Sequence, residues 1–238
     1  MCAVARCSAC ALALLSLASL APADVIVPLD NSGWSVSIPD LVTLGVSVDK
    51  VYKTGAQSGW YVSIQVSKVF NAAPDEDGVF PPIWLTFKQT SADAQTAPHI
   101  RIVDESITND TGVAWTDFHW VLFKMGYASF NETASNVYAG GPPIPSGVFE
   151  VYPFTNYQWD STTNPTVHEL SVWGGTVSDG STWYPGMLSS GHLQIDVDLA
   201  NAPANFVFKL KEIPTPEPAT VCLIAMGGIG VLLRRRRT

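Results

Sequence analysis

The chain has 238 residues, 47% of them apolar and 14% charged, and its 13 basic and 21 acidic side chains leave a formal charge of −8. A sequence this apolar and this weakly charged does not belong to a disordered protein, and its length suits one domain flanked by terminal segments. Residues 24–212 alone hold 8 basic and 20 acidic residues and no cysteine, which argues against nucleic-acid binding and excludes a disulfide scaffold, a thiolate nucleophile and a Cys-ligated zinc site.

Residues 1–23 have the pattern of a secretory signal peptide. Arg6 supplies the positive start and Ala9 to Leu20 the apolar run. Ala21 and Ala23 are the small residues that a signal peptidase reads, which makes Asp24 the first mature residue. The run of about 12 residues is too short for a span, which needs roughly 20.

Residues 24–212 are expected to form one β domain. Trp60, Val62, Ile64 and Val66 alternate with polar residues, as do Leu193, Ile195, Val197 and Leu199, and then Phe206, Phe208 and Leu210. Such period-2 runs mark strands with one buried face. Shorter strands are predicted at 34–38, 44–52, 83–87, 99–103, 118–123, 148–152 and 169–173. Turn-rich stretches separate them at 72–78, 108–112, 140–147, 160–165 and 174–191. About ten short strands with Gly/Pro-rich turns predict an all-β antiparallel sandwich, jelly-roll-like. An outer-membrane barrel would require longer, evenly spaced strands.

Chemistry-bearing motifs are few. All eight tryptophans lie in this segment, and most are expected in the core. Trp159 and Trp183, with Tyr157 and Tyr184, fall in turn-rich stretches and are the candidate glycan contacts. Asp196 and Asp198, and separately Asp75, Glu76 and Asp77, are expected as solvated acidic surface. The four histidines lack metal-ligand spacing, so no metal and no cofactor are expected. No nucleophile elbow or phosphate loop is present, and the domain is expected not to be an enzyme.

The tail, residues 213–238, has three parts. Pro214, Pro216 and Pro218 impose an extended path. Ala219 to Leu233 then form an uncharged apolar run of 15 residues, which as a helix rises about 22 Å against roughly 30 Å of hydrocarbon. Arg234, Arg235, Arg236 and Arg237 follow; their long arms can snorkel, and they hold that end in the cytoplasm. A single transmembrane helix over 219–233 is the expectation.

The sequence Pro216-Glu217-Pro218, the apolar run after it and the terminal arginines resemble the PEP-CTERM sorting signal of Gram-negative, exopolysaccharide-producing bacteria. The resemblance implies recognition by exosortase, a membrane-embedded cysteine transpeptidase, and cutting near Pro216, Glu217 and Pro218. A second stretch, residues 105–120, is similar to an "xNxTGxxWxDFH" segment common in exported domains with this tail, and no catalytic role is implied by it. The resulting expectation is an exported protein, transiently held in the inner membrane and then released to the outer surface or matrix. Signal peptidase and exosortase are its processing partners and extracellular polysaccharide a candidate one. The β domain is read as structural or binding, with a carbohydrate-binding module and a polysaccharide-active enzyme as alternatives.

Overall fold

Strands form where apolar residues recur at every second position, because each pleat then turns one row of side chains away from water. The computed structural model describes residues 24–29, 31–38, 46–52, 59–123, 126–160 and 168–216. The signal segment with Ala21 and Ala23, and the tail from Glu217 through Pro218, residues 219–233 and Arg234 to Arg237, lie outside the described residues.

In chain order the first strands are β1 (Val25–Leu29), β2 (Trp34–Ile38), β3 (Val46–Tyr52), β4 (Tyr61–Phe70), β5 (Ile83–Gln89), β6 (His99–Asn109), β7 (Trp115–Phe123) and β8 (Ala128–Phe130). A single helical turn, α1 (Glu132–Ser135), precedes β9 (Val137–Tyr138), β10 (Phe149–Glu150), β11 (Asn156–Asp160) and β12 (Glu169–Val177). The last are β13 (Thr182–Trp183), β14 (His192–Val197) and β15 (Val207–Pro216). Among the described residues the protein is therefore mostly β with almost no helix.

Seven strands form one antiparallel sheet in the order β1-β2-β5-β15-β7-β12-β11. Six form a second, β3-β4-β6-β14-β8, with β13 added beside β6. One feature departs from the antiparallel expectation: β4 and β6 run parallel, as do the short β9 and β10. The connection between β4 and β6 passes through β5 in the other sheet, so the chain returns to the second sheet in its original direction.

Inward residues of both sheets join one apolar core. Phe70 of the second sheet meets Trp115 of the first edge-on at 5.2 Å, and Trp183 meets Phe118 at 5.3 Å. Each such pair adds about 0.5–1.5 kcal/mol beyond area burial. The turn between β6 and β7 explains the residue types at 109–115. Buried Asn109 donates to the carbonyls of Val113 and Val177, both at 2.9 Å, and accepts from the Thr111 hydroxyl at 2.7 Å. That hydroxyl accepts from the Trp115 indole at 3.3 Å. Gly112 sits at φ +82, a left-handed conformation that a side chain disfavours. The turn begins at Asp110, because β6 runs on through Thr108 and Asn109.

Candidate functional site

β15 carries the chain from the core to the tail. It lies between β5 and β7, pairing with β5 over Val207–Glu212 and with β7 over Lys209–Pro216. Its alternation never lapses: Phe208, Leu210, Glu212, Pro214 and Pro216 face inward, and Lys209, Lys211, Ile213 and Thr215 are half-buried. Past Glu212 the strand has β7 alone as a ladder partner. One row of its N–H groups is then unneeded, so prolines are tolerated there. The expected boundary between residues 212 and 213 thus falls inside β15. β15 reaches Pro216, the first residue of Pro216-Glu217-Pro218, so no spacer separates this strand from the motif.

The four aromatic candidates do not form one surface. Trp159 and Tyr157 lie on β11, the edge strand of the seven-stranded sheet, rather than in a turn. Trp159 leans on Phe130 at 5.6 Å, and Tyr157 is exposed. Trp183 belongs to the core at 4% exposure, and its indole donates to the Tyr152 carbonyl at 2.8 Å. Tyr184, beside it, is 44% exposed. Together with Tyr152, Met187 and Leu188 these two line a groove of about 490 Å³. The lining includes one carboxylate, Glu150, which accepts from the Leu188 N–H at 2.5 Å and from the Ser189 hydroxyl.

Acidic and histidine groups are engaged with one another on the sheet surfaces. Asp75 closes its own loop, accepting from the N–H of Asp77 at 3.0 Å and of Val79 at 2.8 Å. Asp198 accepts from Asn201 at 2.7 Å. Asp196 lies 2.7 Å from His99 Nδ1 and accepts from Gln194 at 2.8 Å and Asn131 at 2.7 Å. Partial burial would raise its pKa, but these hydrogen bonds outweigh that and hold the carboxyl below its usual range. On the other sheet, His119 Nδ1 lies 3.0 Å from Glu169 and 2.9 Å from the Ser171 hydroxyl. Asp160, His168 and Glu169 bring ligand-type atoms within 4.8 Å of one another. Half-buried groups like these are also what an ordinary polar network looks like, and the set assigns no metal.

The most unusual chemistry is inside. Lys68 on β4, Glu105 on β6 and Glu212 on β15 meet between the sheets with fully buried side chains. The Lys68 ammonium donates to Glu105 and, at 2.5 Å each, to both oxygens of Glu212. The Trp120 indole donates to the other oxygen of Glu105 at 3.3 Å. Burial opposes the charge on Lys68, yet the two carboxylates more than offset it and raise its pKa. Burial pushes Glu212 up to about 8 despite Lys68, and the charge on Glu105 adds to the rise.

None of these three residues stood out as a site by motif, but a signal existed. Lys68 has the parity of Val62, Ile64 and Val66, and Glu212 that of Phe208 and Leu210. A charge on the inward row of an alternating strand is an alarm, since burying it alone is prohibitive. Glu105 gave no such signal, because a register shift between β4 and β6 resets the parity just before it.

The last strand of this mostly β structure runs straight into a proline-rich C-terminal segment, and that segment carries an address. That address is shown: residues 214–237 match the PEP-CTERM protein-sorting motif. The motif makes the chain a substrate of exosortase-type C-terminal sorting and implies export to the cell envelope or surface. No curated protein and no solved structure matches the chain. Among the described residues no helix is long and apolar enough to cross a membrane.

Proposed function

We propose that the protein is a non-catalytic cargo of the outer surface or extracellular matrix, built as a jelly-roll-like β-sandwich with a structural or binding role. Signal peptidase cuts after Ala23. The helix over 219–233 holds the chain in the inner membrane while Arg234 to Arg237 stay in the cytoplasm, and exosortase then cuts near Pro216-Glu217-Pro218. The observation that carries this reading is the sorting motif at 214–237, joined without a spacer to the last strand. In a host with the processing enzyme, the mature protein is expected to lack Arg234 to Arg237 by mass spectrometry. Mature protein that keeps them is permanently anchored, and the processing step is then wrong.

Carbohydrate binding is the second reading, supported by the groove beside Tyr184, where exposed aromatic and apolar side chains gather as they do in small-ligand sites. A polysaccharide-active enzyme would need two facing carboxylates. The single carboxylate in that groove, Glu150, is already engaged, which favours binding over hydrolysis there.

A further inference from the structure

We propose that the groove beside Tyr184 is a membrane-docking patch, which lies on the lipid headgroups while the tail holds the chain and is uncovered when the tail is cut. This rests on the membrane-held tail put forward above, and it gives the groove a lipid surface as its first occupant.

The groove stands at the end of the molecule from which the tail leaves. Pro216, the last residue of β15, pairs with Trp115, and Trp115 pairs on its other side with Val177. Two strand spacings, about 10 Å, therefore separate Pro216 from Val177. Val177 lines the groove together with Ser181 and Thr182. Those two are held at the same end, since the Ser181 carbonyl accepts from the Asn109 N–H at 2.9 Å and Thr182 pairs with Thr108 at the close of β6. The rim of the groove is apolar and open: Leu188 is 74% exposed and Met187 49%, with exposed Tyr152 and Tyr184 beside them. Nearer the exit strand, exposed Val79 lines a hollow with Pro214 and Thr215.

The tail leaves little room between this end and the bilayer. Only Glu217 and Pro218 stand between β15 and the apolar run that begins at Ala219. Fully extended they reach about 7 Å, which is about the depth of one headgroup layer. As a helix, the apolar run falls about 8 Å short of the hydrocarbon it crosses. A span that short draws its flanks toward the bilayer and does not let a domain stand clear of it. The end of β15 is then held at the headgroups, and the groove, two strands to the side, meets the same surface.

The chemistry of the patch fits that layer. Tyrosine rings settle at headgroup level, with the ring toward the acyl chains and the hydroxyl toward water. Leucine and methionine gain by taking apolar surface out of water. The charges at this end select the lipid. Asp75, Glu76, Asp77, Asp110 and Asp179 are all exposed. Asp75 closes the loop that carries Val79, and Asp179 accepts from the Gly112 N–H at 2.7 Å, so both belong to the exit end. Carboxylates in that number repel anionic headgroups. The surface that fits is therefore zwitterionic, and the contact is apolar. Docking of this kind also keeps Pro216-Glu217-Pro218 at the depth where a membrane-embedded protease works.

The test uses the full chain with its tail, isolated from a host without the processing enzyme and reconstituted in phosphatidylcholine vesicles. Once the signal is removed, Cys222 is the one cysteine left, so Cys222→Ser clears the chain for single labels. Leu188→Cys places an environment-sensitive fluorophore on the patch. Ala204→Cys places it at the opposite end, just before β15 begins. Both positions are exposed, so neither change disturbs the core. A nitroxide on the lipid headgroup is expected to quench the label at position 188, whose emission shifts to the blue, and to leave the label at position 204 bright. Met187→Glu should abolish the quenching. Phosphatidylglycerol in place of phosphatidylcholine should weaken it at low salt, and stronger quenching there overturns the choice of lipid. Equal quenching at both positions, or none at position 188 in a chain that floats with the vesicles, overturns the patch and leaves the anchor intact. A chain that does not float overturns the anchor and the patch with it. Emission at position 188 that follows protein concentration instead of lipid assigns the groove to a second copy and overturns the proposal.

Discussion

Two charged networks sit on opposite faces of the same six-stranded sheet. On the outer face, His99, Arg101, Gln194 and Asp196 lie side by side on β6 and β14, where His99 and Asp196 keep 24% and 32% of their side-chain surface in solvent. The Arg101 guanidinium stacks 3.8 Å above the Tyr61 ring and donates to Gln194 at 2.8 Å. On the inner face, Lys68, Glu105 and Glu212 have no solvent at all. Both sets are paired and hydrogen-bonded, yet water screens the first and leaves the second to its own partners. A surface network can lose a member and recruit water, whereas a buried one is left with an unsatisfied charge.

The sharpest way to break the comparison is to remove one inner charge. Lys68→Met should leave Glu105 and Glu212 facing each other in the core without their counter-charge and destabilise the fold by about 3–5 kcal/mol, as for other broken buried pairs. Chemical denaturation reads this as a large drop in midpoint, and a change no larger than that of a surface variant would mean that water reaches the cluster.

A smaller effect is expected at His192, at the rim of the outer network. Burial, followed by the nearby Arg101 charge, lowers its pKa from 6.5 to about 4, against a small opposing hydrogen bond to Gln194. The folded state therefore keeps the imidazole neutral, while the unfolded chain takes up a proton below about pH 6.5. Stability from this residue is full above that value and falls as pH drops toward 4, by about 1–2 kcal/mol once solvent screening is allowed for. His192→Gln should flatten the melting temperature over this window; an unchanged slope would place the titration elsewhere.

The smallest effect is expected from Asp196→Asn, which keeps the shape and removes the outer carboxylate. The loss should be about 0.2–1 kcal/mol and should shrink as salt is added. A loss matching that of Lys68→Met would erase the distinction between the two faces.

Much of the β architecture was legible in sequence. The strand over residues 34–38 appears within its expected bounds, and those starting near residues 61, 83, 99, 169 and 193 appear with shifted or longer ends. The misses share a cause. β11, Asn-Tyr-Gln-Trp-Asp, is an exposed edge strand, so burial imposes no alternation on it. β1 is likewise an edge strand, interrupted by Pro28, and β8 has only three residues. Trp183 looked like a loop residue because β13 is two residues long, and its pairing with β6 brings the indole into the core.

The address at the C-terminus is local chemistry. Prolines, an apolar run and arginines in tandem act through their order along the chain, so their meaning could be read without a fold. Strand parity is local too, since it follows from the pleat. Which charges meet is another matter. Lys68, Glu105 and Glu212 come from three strands and two sheets, one of them shifted by a bulge, and their encounter depends on the parallel β4–β6 crossover and on β15 lying beside β7. No periodicity encodes that meeting, because it is set by how separate elements pack against one another.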